Sequence, residues 1–344
     1  MEVKTLLTGG TGFVGLNIAE ELLRIGQEVI ILSDQGLAPF AQLKLERLPG
    51  KFHVVKVDVT DREAVHAVFR RSRPTHVIHA AVITAGQERE SRDFDRIVDV
   101  NIKGTANVLR GALQCGTERV VYVSSGSVYG ETLYGAHPLS ERECVPIPDT
   151  LYSITKYSSE RICARFRQVH GLNVICVRVG SVFGPWERDT GVRDTLSTPF
   201  QILRLALNGE QVRIARNEPR RDWIYSRDVA AGLIRIVNTP SLRYSIYNLG
   251  SGVRWVNVGA EWCSCLRAVF PGLQFRTVLP GETANVGFLG ELDRATMCVE
   301  RLTSDAGFQP AFDQSNAFAD YLAWINENHL AFFQSGGGIR DDKK

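Results

Sequence analysis

The chain carries almost no excess of either charge. Its 40 Lys and Arg face 38 Asp and Glu, for a formal net charge of +2, so nothing electrostatic favours nucleic acid or an anionic membrane. No uninterrupted apolar run is long enough to span a bilayer. A long apolar h-region is missing too, since Leu6-Leu7 belongs to a short strand pattern, so secretion is not expected. The seven cysteines (Cys115, Cys144, Cys163, Cys176, Cys263, Cys265 and Cys298) are scattered, odd in number and without a CxxC pair. This argues against a disulfide framework and against a metal site, and for reduced thiols in the cytoplasm. Repeats, blocks of like charge and low-complexity segments are absent as well. The last residues, 335–344, with Gly336-Gly337-Gly338, are expected to form a flexible tail.

What is present begins at once. Val3 to Thr8 reads as a buried strand, and Gly9-Gly10-Thr11-Gly12-Phe13-Val14-Gly15 follows it into an apolar-periodic helix over Leu16 to Arg24. Gly9 turns the chain off the strand. Gly12 leaves the helix N-terminus bare for a pyrophosphate, where free N–H groups and the helix dipole favour an anion. Gly15 permits close packing of helix on strand. Such a triplet between a strand and a helix predicts a dinucleotide site.

Further strands are expected at Glu28–Leu32, His53–Val57, Thr75–His79 and Val120–Val123. Helices separate them, one capped by Thr60 or Asp61 and one running from about Phe94 to Cys115. Alternation of this kind predicts an α/β fold, a Rossmann doubly wound parallel sheet. Near the end of the second strand an acid should accept the adenine-ribose hydroxyls. Asp34 is close to that distance, and Ser33 is the alternative. No Lys or Arg follows until Lys44, so NAD is favoured over NADP. The small Ala80-Ala81 would let the chain pass close under the cofactor, and His79 reads as a packed strand-end residue.

Tyr152 and Lys156, four apart on a helix, share one face. A tyrosine with a pKa of about 10 is a poor base at neutral pH, and a neighbouring ammonium is expected to lower it. A serine ending the preceding strand, in Ser124-Ser125-Gly126-Ser127-Val128-Tyr129-Gly130, would share the proton of a bound alcohol.

Together with Asp58-Val59, His79-Ala80-Ala81, Asn101-Ile102-Lys103-Gly104-Thr105, Arg178 through Gly184-Pro185, and Arg221-Asp222-Trp223-Ile224-Tyr225, these motifs resemble one family. It is the extended short-chain dehydrogenase/reductases, in the NAD-dependent epimerase/dehydratase branch typified by UDP-glucose 4-epimerase. The resemblance runs from residue 3 to about residue 325. It implies Tyr152 as general acid/base, Lys156 as the nicotinamide-ribose ligand and Ser125 as the catalytic Ser/Thr, with Ser127 assisting. It further implies that Gly9, Gly12, Phe13, Val14 and Gly15 hold the pyrophosphate. Asp58 and Val59 would meet the adenine, while Ala80, Ala81, Asn101 and Val179 would lie along the cofactor. Ser181 and Arg221 would then meet the substrate. Dehydratases of this branch carry an Asp-Glu pair where this chain has Gly126 and Ser127, which discounts dehydration. Ser181 replaces an Asn that in many relatives holds a nucleotide-sugar diphosphate.

The expected layout is a cofactor domain over residues 1–180, completed by about 226–250. A smaller substrate-binding lobe would take 181–225 and 251–330. Within that lobe Gly184 to Pro199 reads as a polar loop, and Trp255, Arg276, Arg294 and Arg301 are further cleft candidates. The helix bearing Tyr152 carries apolar Ile154, Tyr157, Ile162, Cys163 and Phe166; the resemblance implies a homodimer face there, and a buried intramolecular face would give the same pattern. Three functions follow in order: a sugar or nucleotide-sugar epimerase that oxidises a secondary alcohol and returns the hydride; a dehydrogenase of a sugar or hydroxy acid that releases NADH; and a non-catalytic NAD-binding protein.

Overall fold

The computed structural model describes residues 3–288 and 290–332; the expected tail at 335–344 lies outside them. The strands are β1 (Lys4–Thr8), β2 (Glu28–Ser33), β3 (Lys51–Lys56), β4 (His76–His79), β5 (Arg119–Ser125), β6 (Val174–Val179), β7 (Ser181–Phe183), β8 (Val212–Ile214), β9 (Trp223–Tyr225), β10 (Ile246–Leu249) and β11 (Phe275–Thr277). The helices are α1 (Phe13–Arg24), α2 (Pro39–Leu45), α3 (Arg62–Ser72), α4 (Gln87–Arg92), α5 (Phe94–Val98), α6 (Gly104–Cys115), α7 (Leu151–His170), α8 (Thr198–Leu207), α9 (Ser226–Asn238), α10 (Val258–Leu266), α11 (Glu300–Ala306) and α12 (Gln314–Phe332).

Seven strands form one sheet in the order β10-β6-β5-β4-β1-β2-β3, and every pairing is parallel. Helices cover both faces, so β6 is buried along its whole length and its Val-Ile-Cys-Val-Arg-Val run shows no alternation. From β1 the chain winds outward to β3, then crosses back to β4 on the other side. That reversal opens a crevice beyond the carboxyl ends of β1 and β4, where sheets of this type hold ligands.

The helix expected from Phe94 to Cys115 forms, but not uniformly. Between α5 and α6 the turn Asp99–Lys103 is π-helical, a widening that swings one side chain out of the regular helical register. Gly104 follows it because a Cβ there would lie 2.7 Å from Val59 Cγ2.

Beyond β6 the chain builds two small parallel pairs, β7 with β9 and β8 with β11. Phe183 packs edge-on against Trp223, Trp255 and Phe318, and Trp262 stacks on Tyr321 at 5.1 Å and 4°. These rings belong to the same buried cluster as Leu7, Leu16 and Ile31 of the large sheet. Residues 226–249 then return as α9, which packs on α1, and as edge strand β10. On α7, Ile154 is exposed, but Cys163 faces inward, with Ile162 and Phe166 half-buried against the same core. Cys163 therefore belongs to the core, the intramolecular alternative for that residue. Among the described residues no helix is long and apolar enough to cross a membrane.

Candidate active site

A cleft of about 1250 Å³ opens at the reversal point. Its floor is the turn from β1 into α1. Gly9 has φ +67°, and a Cβ there would sit 2.7 Å from Ala81 N, so only glycine lets the β4 extension pass so near. A Cβ on Gly15 would collide with the Gly9 carbonyl oxygen. Gly12, at the N-cap of α1, would meet only Gly9 O at 3.3 Å. Its outer side faces the cleft, and the first amides of α1 have no intrahelical acceptor. The loop thus provides N–H donors and close backbone approach, which is what a diphosphate needs.

At the adenine end, Ser33 is buried and its hydroxyl lies 2.7 Å from Thr11 Oγ1. Asp34 beside it is exposed and lines the cleft. Ser33 braces the loop, leaving Asp34 as the carboxylate open to ribose hydroxyls. Asp58 accepts from Thr60 N at 2.8 Å and from Arg96 Nη2 at 2.6 Å. Burial alone would raise its pKa, but those donors hold it below the usual carboxylate value.

At the reacting end, β5 delivers Ser125 to its last position, where the Oγ accepts from Ser127 N at 3.1 Å. Thr150 and Ser153 form a capping box that starts α7 immediately before Tyr152. Burial raises the Tyr152 phenol, and Ser125, Arg193 and Thr84 oppose that rise. Lys156, only 2% exposed, donates from Nζ to Val123 O at 2.6 Å and lies 6.0 Å from the Tyr152 ring centroid. Burial pushes this lysine down to about 7 against the pull of Glu160. The groups acting on Tyr152 are a serine, an arginine and a threonine from other segments.

Behind this row lies a dry polar layer. Glu160 accepts from Arg178 at 3.0 and 2.7 Å and from Ser124 at 2.6 Å, and Arg178 lies 4.7 Å from the Tyr129 ring centroid. His79 Nδ1 lies 2.6 Å from Thr8 Oγ1, and burial, then the Lys156 charge, push its pKa down to about 3. A neutral histidine there is a packing residue. Asn101, in the π turn, accepts from Ile83 N at 2.9 Å and donates to Thr155 at 2.9 Å. It lies just behind the cleft wall, where it ties the segment after β4 to the helix of Tyr152.

Ser127, Val179 and Ser181 line the cleft, as do Phe13, Val14, Val59 and Ala80. Arg221 does not. It is fully buried, donates to Gly290 O at 2.8 Å, and is pushed down to about 9 by burial and then by Arg294. Arg294 lines the cleft in its place. Sequence reasoning passed over Thr84, Arg188 and Arg193, which also line it. The signal was present, two arginines five residues apart in a loop read only as polar. Among the described residues, no His, Cys, Asp and Glu cluster could hold a metal ion.

Comparison with known proteins agrees with this geometry. Residues 5–250 match the model of the NAD dependent epimerase/dehydratase family. UDP-glucuronate 4-epimerase 2 of Arabidopsis thaliana is 30% identical, the match covering 97% of this chain and 77% of that protein. The match to UDP-glucuronate 4-epimerase 4 of the same plant is also 30% identical, but spans only 54% of that protein's length. Among solved structures, the Thermus thermophilus UDP-glucose 4-epimerase complex with NAD superposes with a TM-score of 0.74 at 25% identity, over 95% of this chain and 100% of that one. The family model over most of the chain and the plant relative show the same thing: this chain belongs to the NAD-dependent epimerase/dehydratase family, as an enzyme of the extended short-chain dehydrogenase/reductase type.

Proposed function

We propose that this protein inverts one secondary alcohol, C4 of a UDP-hexose or UDP-hexuronate, by oxidising and then re-reducing that carbon. The observation that carries the reading is the convergence of Ser125, Tyr152 and Lys156 in one cleft with the glycine loop and Val179–Ser181. In this reading Tyr152 takes the alcohol proton and later returns it, and Ser125 holds the same oxygen by a hydrogen bond. Lys156 binds the nicotinamide-ribose hydroxyls, leaving its contact with Val123 O. Ser127, whose buried Oγ has no partner among the described residues, and Ser181 meet the sugar. NAD, when bound, supplies a reversible hydride acceptor. Gly126 and Ser127 offer no acid for expelling water, which supports inversion over dehydration. The 4-epimerase relatives support a UDP-hexuronate over a free sugar. A homodimer built on the exposed part of α7, working in the cytoplasm, completes the reading.

A second reading, net oxidation of a sugar or hydroxy acid with NADH release, is favoured by Arg221, which is withdrawn from the cleft where a diphosphate anchor would stand. One experiment separates the two. Purified protein is denatured to identify any released nucleotide, then native protein is mixed with added NAD and with UDP-glucuronate, UDP-glucose and free sugars while 340 nm absorbance is followed. Retained NAD, an inverted product and flat absorbance support the epimerase; steady absorbance growth overturns it.

A further inference from the structure

The segment 186–195 leaves β7 and crosses the cleft as a strap. One side is tied to the glycine loop and α1: Trp186 Nε1 donates to Glu20 at 2.7 Å, and Arg188 Nη2 donates to Thr11 O at 2.8 Å. The other side is stitched to the chain after β4. Thr84 N donates to Val192 O at 3.1 Å, Asp194 N to Thr84 O at 3.0 Å, and Gly86 N to Asp194 Oδ2 at 2.9 Å. Arg89 adds a hydrogen bond to Gly191 O.

Two guanidinium groups hang from this strap into the cleft. Arg193 lies 5.3 Å from the Phe13 ring centroid and 3.2 Å from Glu187. Arg188 has no carboxylate within ion-pair distance among the described residues, and its buried Nε has no partner. Burial accordingly lowers its pKa, with nothing opposing. An arginine held this way costs stability unless an anion completes it. The glycine loop beneath supplies N–H groups, yet Gly9 to Gly15 contains no cationic residue.

We propose that Arg188, assisted by Arg193 of the same strap, is the cationic half of the diphosphate site for the dinucleotide, so that the strap locks the cofactor against the glycine loop. The lock depends on NAD binding and not on the epimerase reading. It holds for net oxidation equally, so absence of epimerisation leaves it untouched.

The test uses Arg188→Gln, Arg188→Lys and Arg193→Gln. The release of bound NAD is timed by rapid gel filtration, and ADP-ribose and adenosine are compared by competition. Loss of a charge-assisted contact should weaken NAD and ADP-ribose about 10-fold or more in Arg188→Gln, leave adenosine unchanged, and give faster NAD release. Arg188→Lys should recover part of the loss, and Arg193→Gln should show a smaller one. Removing an uncompensated buried charge should also leave the ligand-free melting temperature of Arg188→Gln unchanged or higher. Equal weakening of adenosine and ADP-ribose, unchanged NAD release, or a lowered ligand-free melting temperature would each overturn the proposal. If Arg188→Gln fails to fold, the ADP-ribose and adenosine comparison in Arg188→Lys and Arg193→Gln decides it.

Discussion

The two halves of this molecule are held together by different means. Up to β6, the decisive contacts are backbone against backbone: Gly9 under Ala81 and Gly15 on Gly9. After β6 they are ring against ring, and all five tryptophans of the chain lie there. Close backbone approach sets the place of a ligand to within a fraction of an ångström but tolerates no added atom. Ring packing buries much apolar area and tolerates exchange, because many ring arrangements fill the same volume. The first half therefore holds the glycine loop, Ser125, Tyr152 and Lys156 to close tolerances, and the second adds ring-packed bulk.

This contrast can be broken or sharpened by experiment. The largest effect is expected from Tyr152→Phe, which should lower turnover about 1000-fold or more while bound NAD and melting temperature stay as in the wild type. Release of the cofactor in that variant would mean that reaction and binding are not separable in the first half. Phe183→Ala, amid the rings of Trp223, Trp255 and Phe318, should cost about 3–5 kcal/mol in urea unfolding. Its NAD affinity at low temperature should hold; a parallel loss would contradict the division of labour.

Gly15→Ala should show the reverse pattern. Pushing the Gly9 carbonyl aside costs about 1–3 kcal/mol of stability, but NAD binding should fall by more than that loss explains, measured by calorimetric titration. The smallest effect concerns pH. Lys156 in the folded protein keeps its proton only up to about 7, whereas the unfolded chain holds it to about 10.5. The unfolded state binds the extra proton between those values, so this residue makes stability rise with pH there. Lys156→Met should thus show its greatest gain in melting temperature below pH 7, fading between pH 7 and 10.5. A constant difference across that range would show that burial does not govern this lysine.

The same contrast explains what was legible in the sequence. A glycine spacing between a strand and a helix has few physical meanings, so the loop, the sheet and the Tyr152–Lys156 row were readable from residue order alone. Asp61 was legible as a cap, and it accepts from Ala64 N at 3.0 Å. Asn101 was not legible as a brace, because nothing in its neighbours announces a π turn. The burial of Arg221 was not legible for a related reason. An arginine beside a short strand looks the same whether it faces a cleft or lies beneath one, and only the fold of 290–297 decides. Arg188 and Arg193 were missed because loop arginines are ordinarily solvated, and the path of the strap depends on contacts with Thr11 and Thr84, more than a hundred residues earlier.

The place of β10 at the sheet edge bears on how the chain is made. β6 emerges from the ribosome with one side paired to β5 and the other open, and the 66 residues between Val179 and Ile246 must follow before that side is closed. Throughout that interval an unpaired edge, apolar except for Arg178, is presented to the cell, the kind of surface that pairs with other chains. Since α9 must also arrive to cover α1, the nucleotide site is completed late in synthesis. Slow translation through this stretch would lengthen the exposure, and chaperone occupancy of nascent chains ending between residues 180 and 245 would report it.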